Sequence, residues 1–147
     1  MRNIKGLAYI LMILPLLYAN IAQSAPQSDA QIEAENVVRT YHLALTQGDT
    51  ITIKSLLGGD LLLKRRRLLD NPIYPSHLIE VYGGSTITIT RNILNNDSIT
   101  IEADITLGTG EILQRRYLLT RNTDSASQYG YNIISDTSSD GDLPRNP

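Results

Sequence analysis

Two hydrophobic periods divide the chain. From about residue 29 to residue 82, apolar side chains recur at three- and four-residue steps; from residue 85 onward they alternate with polar ones. The first period predicts amphipathic helices, the second strands with one wetted face. A first helix is expected over 29–47, with Ile32, Ala34, Val37 or Val38, Tyr41, Ala44 and Leu45 as its apolar stripe. Ser28 or Asp29 can accept from the free N–H groups of its first turn, and Gly48 stops it. Asp49 or Thr50 opens a short second helix over 51–57, broken by Gly58-Gly59. Asp60 caps a third over 61–69, ended by Asn71-Pro72. In it Leu61, Leu62, Leu68 and Leu69 share one side, and Lys64, Arg65, Arg66 and Arg67 are turned largely away. Pro75 and Ser76 begin a further short helix or extended piece, closed by Gly83-Gly84.

The strand half starts with Ile87, Ile89, Arg91 and Ile93 alternating with Thr86, Thr88 and Thr90. After a turn at 95–97, Ile99, Ile101, Ala103, Ile105 and Leu107 alternate with Thr100, Glu102, Asp104 and Thr106. Gly108-Thr109-Gly110 makes the next turn. A third strand over 112–121 places Leu113, Arg115, Tyr117 and Leu119 on one face; after a polar loop, Tyr129, Tyr131 and Ile133 start a fourth. Helices first and an antiparallel sheet afterwards is the α+β order. The Thr-, Asp- and Glu-rich sheet face should meet water or a polar partner, and the other should cover the helices.

Ahead of these elements lies a different pattern. Arg2 and Lys5 precede an uncharged apolar run over 7–18, and Ala22-Gln23-Ser24 puts small residues where a signal peptidase cuts. The run is shorter than the ~20 residues that span a bilayer comfortably. Residues 1–24 are therefore read as a signal peptide, 25–136 as one domain and 137–147 as a disordered tail, in a periplasmic or secreted bacterial protein. Retention of the first segment as an anchor is the alternative. Cleavage removes 24 of 147 residues, leaving 123, and takes the formal net charge from −2 to −4 with the loss of Arg2 and Lys5. An acidic chain lacks the footprint that neutralises phosphates, so no nucleic-acid partner is expected. The absence of cysteine excludes disulfides, a Cys-ligated zinc, a thiol nucleophile and a lipoprotein-type anchor. Eight Tyr supply every aromatic ring, with no Phe or Trp.

The run Val37-Val38-Arg39-Thr40-Tyr41-His42-Leu43-Ala44-Leu45-Thr46-Gln47-Gly48-Asp49, followed by Ile53 and Leu56-Leu57, resembles the first helix and turn of the nuclear transport factor 2-like (NTF2-like) superfamily. That superfamily includes SnoaL-like cyclases and ketosteroid isomerases. The later strands, ending in Gly130-Tyr131-Asn132-Ile133, are similar to its closing meander, and the resemblance extends over about 30–136. It implies a cone: a strongly curved antiparallel sheet of about four strands wrapped around two or three N-terminal helices. The pocket would lie between the concave face and the first helix. Such cones serve as enzymes, binders and scaffolds alike, so the fold does not give the function.

Tyr41 lines up with the tyrosine that, in ketosteroid isomerases, donates to the substrate oxyanion. A phenol in an apolar pocket can stabilise negative charge that develops on a substrate oxygen. The reaction also needs a carboxylate base. The resemblance places that base about sixteen residues after the Gly-Asp turn, where this chain has Lys64-Arg65-Arg66-Arg67. The plainer reading of Tyr41 is a core residue with its hydroxyl at the cone's edge. Arg91 and Arg115 share strand parity with apolar neighbours, and an inward charge is costly unless paired. Either they clamp a carboxylate ligand, with Tyr41 and Tyr117 beside them, or a bulge shifts the parity or an acid pairs with them. His42 and His77 lack acidic neighbours at metal-ligand spacing, and surface or satisfied histidines are the simpler reading. Glu102 and Asp104 share a solvated face. Lys64, Arg65, Arg66 and Arg67 form a charged helix face that would also suit anionic lipid headgroups or an acidic protein.

No metal site, cofactor, phosphate loop or nucleophile elbow is implied. The expectation is an exported, non-catalytic binding module of the cell envelope. Its partner surface would comprise Lys64, Arg65, Arg66, Arg67, Glu102 and Asp104, with homodimerisation through the sheet face or binding of an envelope protein. One alternative is a small-ligand binder or SnoaL-like enzyme using the cone. The other is a membrane-tethered scaffold of a secretion system, should the N-terminal segment be retained.

Overall fold

A computed structural model describes residues 26–124 and 126–138. Residues 1–24, expected to be a signal peptide, and residues 139–147 of the tail lie outside the described residues. Four helices precede a four-stranded antiparallel sheet: α1 (Asp29–Gln47), α2 (Thr50–Leu56), α3 (Gly59–Leu69), α4 (Tyr74–Tyr82), β1 (Thr86–Leu94), β2 (Ser98–Thr106), β3 (Ile112–Arg121) and β4 (Tyr131–Ser138). The strands run as a meander in the order β1-β2-β3-β4, and the sheet is curved and unclosed.

Local chemistry explains the helix ends. Ser28 and Gln31 form a reciprocal capping box: Ser28 Oγ accepts from the Gln31 amide at 3.3 Å, and Gln31 Oε1 accepts from the Ser28 amide at 3.0 Å. Gly48 closes α1 in the left-handed region at φ 66°, and a Cβ there would lie 2.6 Å from the Pro75 carbonyl oxygen. Glycine thus satisfies both the backbone twist and the close approach of α4. Asp49 caps α2 by accepting from the Thr52 amide at 3.0 Å. The segment over 74–82, open between helix and extended piece, is helical, with proline in its first turn.

The core lies between α1 and the concave face. Ala34, Val37, Val38, Tyr41, Ala44 and Leu45 meet Ile99, Ile101, Ala103, Leu119 and Ile133, and Ile53, Leu56 and Leu57 of α2 and its C-cap complete the cluster. Beyond β4 the chain covers its own sheet edge, since the Gly58 amide donates to the Ile133 carbonyl at 2.9 Å.

Four expectations need correction. Asp60 does not cap α3; the N-cap is Gly58, without a side-chain cap, and Asp60 lies in the first turn. Ile32 is 45 % exposed, because it falls beyond the flank of α1 that meets the sheet. Leu68 is also 45 % exposed while Leu69 is buried, so α3 presents a narrower apolar face than LLLKRRRLL suggests. Residues Asp136, Thr137 and Ser138 belong to β4, which passes the expected domain end at residue 136 because Arg115, Arg116 and Tyr117 offer them strand partners. Among the described residues, no helix is long and apolar enough to cross a membrane.

Candidate functional site

The site is made by a bulge. Tyr131 and Ile133 face the core, so strict alternation would put Ser135 inside and Asp136 outside. Instead Leu119 pairs with Ile133 and Leu118 with Ser135, leaving Ile134 as an extra residue. The parity flips, and Asp136 comes opposite the inward-facing Tyr117. Its side chain is only 6 % exposed.

Three side chains converge on that carboxylate, and a fourth packs beside one of them. Arg65 of α3 donates through Nη2 to Asp136 Oδ2 at 3.0 Å and through Nη1 to the Tyr41 hydroxyl oxygen at 2.6 Å. The Tyr41 hydroxyl donates to Asp136 Oδ2 at 3.3 Å. Arg115 Nη1 stands 3.7 Å from Oδ1, at ion-pair distance, and Oδ1 accepts no hydrogen bond among the described residues. The Tyr117 ring meets Tyr41 edge-on, with centroids 6.0 Å apart. The cluster therefore joins α1, α3, β3 and β4 at one end of the core.

Burial raises the Tyr41 phenol far above its ordinary pKa, and the Asp136 charge adds to the rise. Tyr41 is consequently a fixed donor at any physiological pH. Burial also raises Tyr117, with Asp136 again contributing. Burial opposes the charge of Arg65, but the Tyr41 and Asp136 oxygens outweigh it and its pKa rises. At Arg115 burial is likewise outweighed, first by Asp136 and then by the Tyr82 oxygen. Two cations share one carboxylate, each with more than two-thirds of its side chain covered: Arg65 is 30 % and Arg115 27 % exposed.

Of the residues expected to line the cone, Tyr41, Tyr117 and Arg115 lie together at one end of the core. Arg91 does not join them. A second bulge, at Thr90, sets Ile89 opposite Ala103 and Arg91 opposite Glu102. Arg91 therefore points outward, 63 % exposed and 3.7 Å from Glu102, which Arg116 also contacts at 2.9 Å. Asn92 takes the inward place and donates to the Gln31 carbonyl and to Glu35 Oε1, each at 3.0 Å. Arg65, expected outside with Lys64, Arg66 and Arg67, turns in because its position on α3 meets the Tyr41 hydroxyl. Glu102 and Asp104 occupy the outer sheet face. His42 is buried and lies 2.9 Å from Ser85 Oγ, and burial lowers its pKa. His77 is exposed beside Glu80. Among the described residues no cluster of His, Cys, Asp and Glu could hold a metal ion.

Sequence reasoning missed Asp136 and the inward turn of Arg65. The acid facing Tyr41 comes from the last strand rather than from the helical region where the resemblance implied it. The one trace was the doublet Ile133-Ile134, which breaks the alternation where the bulge occurs.

In its element order, four helices followed by an open antiparallel meander, the chain has an α+β fold. A crystal structure from Campylobacter jejuni, named as an NTF2-like transpeptidase, is similar at 15 % identity and a TM-score of 0.49, over 69 % of this chain and 97 % of that one. No protein-family model and no curated protein matches the chain.

Proposed function

We propose that this chain is an exported, non-catalytic interaction module of the cell envelope. The observation that supports the reading is the state of the Tyr41–Asp136 pair. Tyr41 is 0 % exposed, and the carboxylate opposite it is taken up by two guanidiniums and the phenol itself. A general base must reach a substrate proton; here Oδ2 already accepts from Arg65 and Tyr41, and Oδ1 faces Arg115. The arrangement serves to lock helices to sheet. Binding then falls to the outside of the cone, where the outer sheet face with Thr100, Glu102, Asp104 and Thr106 offers a surface for self-association or for an envelope partner.

One observation favours a second reading. An acid 3.3 Å from a buried phenol is also a pair that could act on a carbonyl substrate, were Arg65 and Arg115 to swing aside. Chemical cross-linking in intact cells, combined with a thermal-shift screen of small carboxylates and cyclic ketones, separates the two. The interaction reading predicts a discrete cross-linked complex that forms equally with Tyr41→Phe, and no small molecule that raises the melting temperature. A ligand-induced rise that disappears in Tyr41→Phe, with the fold intact, would establish the pocket reading instead.

A further inference from the structure

Three of the four consecutive cations on α3 play no part in the clamp. Arg65 turns under the helix to Asp136, whereas Lys64, Arg66 and Arg67 are exposed. Large aliphatic side chains are exposed on the helix, Leu63 by 68 % and Leu68 by 45 %, and just past it, Ile73 by 73 %. At about 100° per residue, Leu63, Lys64 and Arg67 fall opposite Arg65 and Leu69, with Arg66 and Leu68 on the two flanks. Leu63, Arg66 and Arg67 border one open trough of about 450 Å³, together with Asp70 and Asn71. Asp70 is already shared by Lys54 and Arg66, and Lys64 and Arg67 form no ion pair among the described residues. The whole chain carries a net charge of −2, so this positive surplus belongs to the helix face and not to the composition.

We propose that this face of α3 docks on an anionic lipid surface. Lys64, Arg66 and Arg67 would meet headgroup phosphates, which guanidiniums grip with paired donors. Leu63, Leu68 and Ile73 would enter the boundary between headgroups and acyl chains. Charge complementarity selects an anionic occupant, and the interleaved aliphatics select a bilayer over a soluble acidic partner, because an interface accepts both kinds of side chain side by side. The inference does not depend on how the cone is used.

The test is co-sedimentation of the full chain with vesicles of phosphatidylglycerol and phosphatidylcholine in equal parts, against vesicles of phosphatidylcholine alone. The wild type should bind the anionic vesicles at low salt and release them as screening rises. Replacing Lys64, Arg66 and Arg67 together by Glu should lower partitioning by about tenfold or more, with the unfolding midpoint reporting that the fold survives. Arg66→Lys with Arg67→Lys should stay within about threefold of wild type, since charge is kept. Equal partitioning of the wild type and the Glu variant overturns the proposal, whether neither binds or a segment such as residues 1–24 carries the binding. Binding to soluble polyglutamate but not to vesicles overturns it in favour of an acidic protein partner.

Discussion

In β1 the extra residue Thr90 turns a guanidinium out to solvent and brings Asn92 in; in β4 the extra residue Ile134 brings a carboxylate in. Both bulges lie on the outer strands of the sheet, and both aim a polar side chain at a helix. Asn92 reaches Gln31 and Glu35 of α1, and Asp136 reaches Tyr41 of α1 and Arg65 of α3. The consequences differ in size. Asn92 is neutral and exchanges ordinary hydrogen bonds, and the expelled Arg91 retains a largely hydrated pair with Glu102. Asp136 is a charge withdrawn from water, tolerable only because two cations and a phenol enclose it. The same one-residue irregularity thus makes a strap at one edge and a buried ionic clamp at the other.

Breaking the clamp should have the largest effect. Asp136→Ala leaves two partly covered guanidiniums without a counter-charge, and we expect a loss of about 3–5 kcal/mol in denaturant unfolding. At the other bulge, Asn92→Ala should cost about 1–2 kcal/mol by the same measurement. A loss at Asn92 equal to that at Asp136 would erase the distinction between strap and clamp.

The pH dependence sharpens the contrast. The folded-state pKa of Tyr41 is raised, so its contribution is complete below the ordinary phenol range and fades as pH climbs above about 10. Tyr41→Phe should therefore lose stability near neutrality yet show a shallower decline on the alkaline side, read from unfolding midpoints across pH. The His42 pKa is lowered, so the unfolded chain takes up the proton first and stability falls as pH drops below about 6.5. His42→Gln should flatten that acid slope. The smallest effect belongs to Arg91: its pair is hydrated, and Arg91→Ala should change stability by less than about 1 kcal/mol.

Most of the fold was legible in the chain. Capping residues, glycine stops and the switch of period marked seven of the eight elements, and left open only whether the segment over 74–82 is helical. The site was legible only as far as parity holds. Tyr41, Arg115 and Tyr117 lie on uninterrupted faces, and their inward parity could be read from the sequence. Arg91 and Asp136 each follow a bulge, and a bulge is decided by how two strands fit, which one strand's composition does not record. Arg65 was hidden for another reason. Four like charges in a row suggest a solvated face, and only the meeting of α3 with Tyr41 and β4 singles out the one that turns in.

A double-mutant cycle between Asp136 and Arg65, using Asp136→Asn and Arg65→Gln with unfolding free energies, addresses the clamp most directly. The account predicts a coupling of about 1.5 kcal/mol or more, since each partner loses its main reason to be buried when the other is removed. Additivity of the two substitutions within about 0.5 kcal/mol would mean that the carboxylate and the guanidinium do not hold each other, and the clamp between helices and sheet would fall with them.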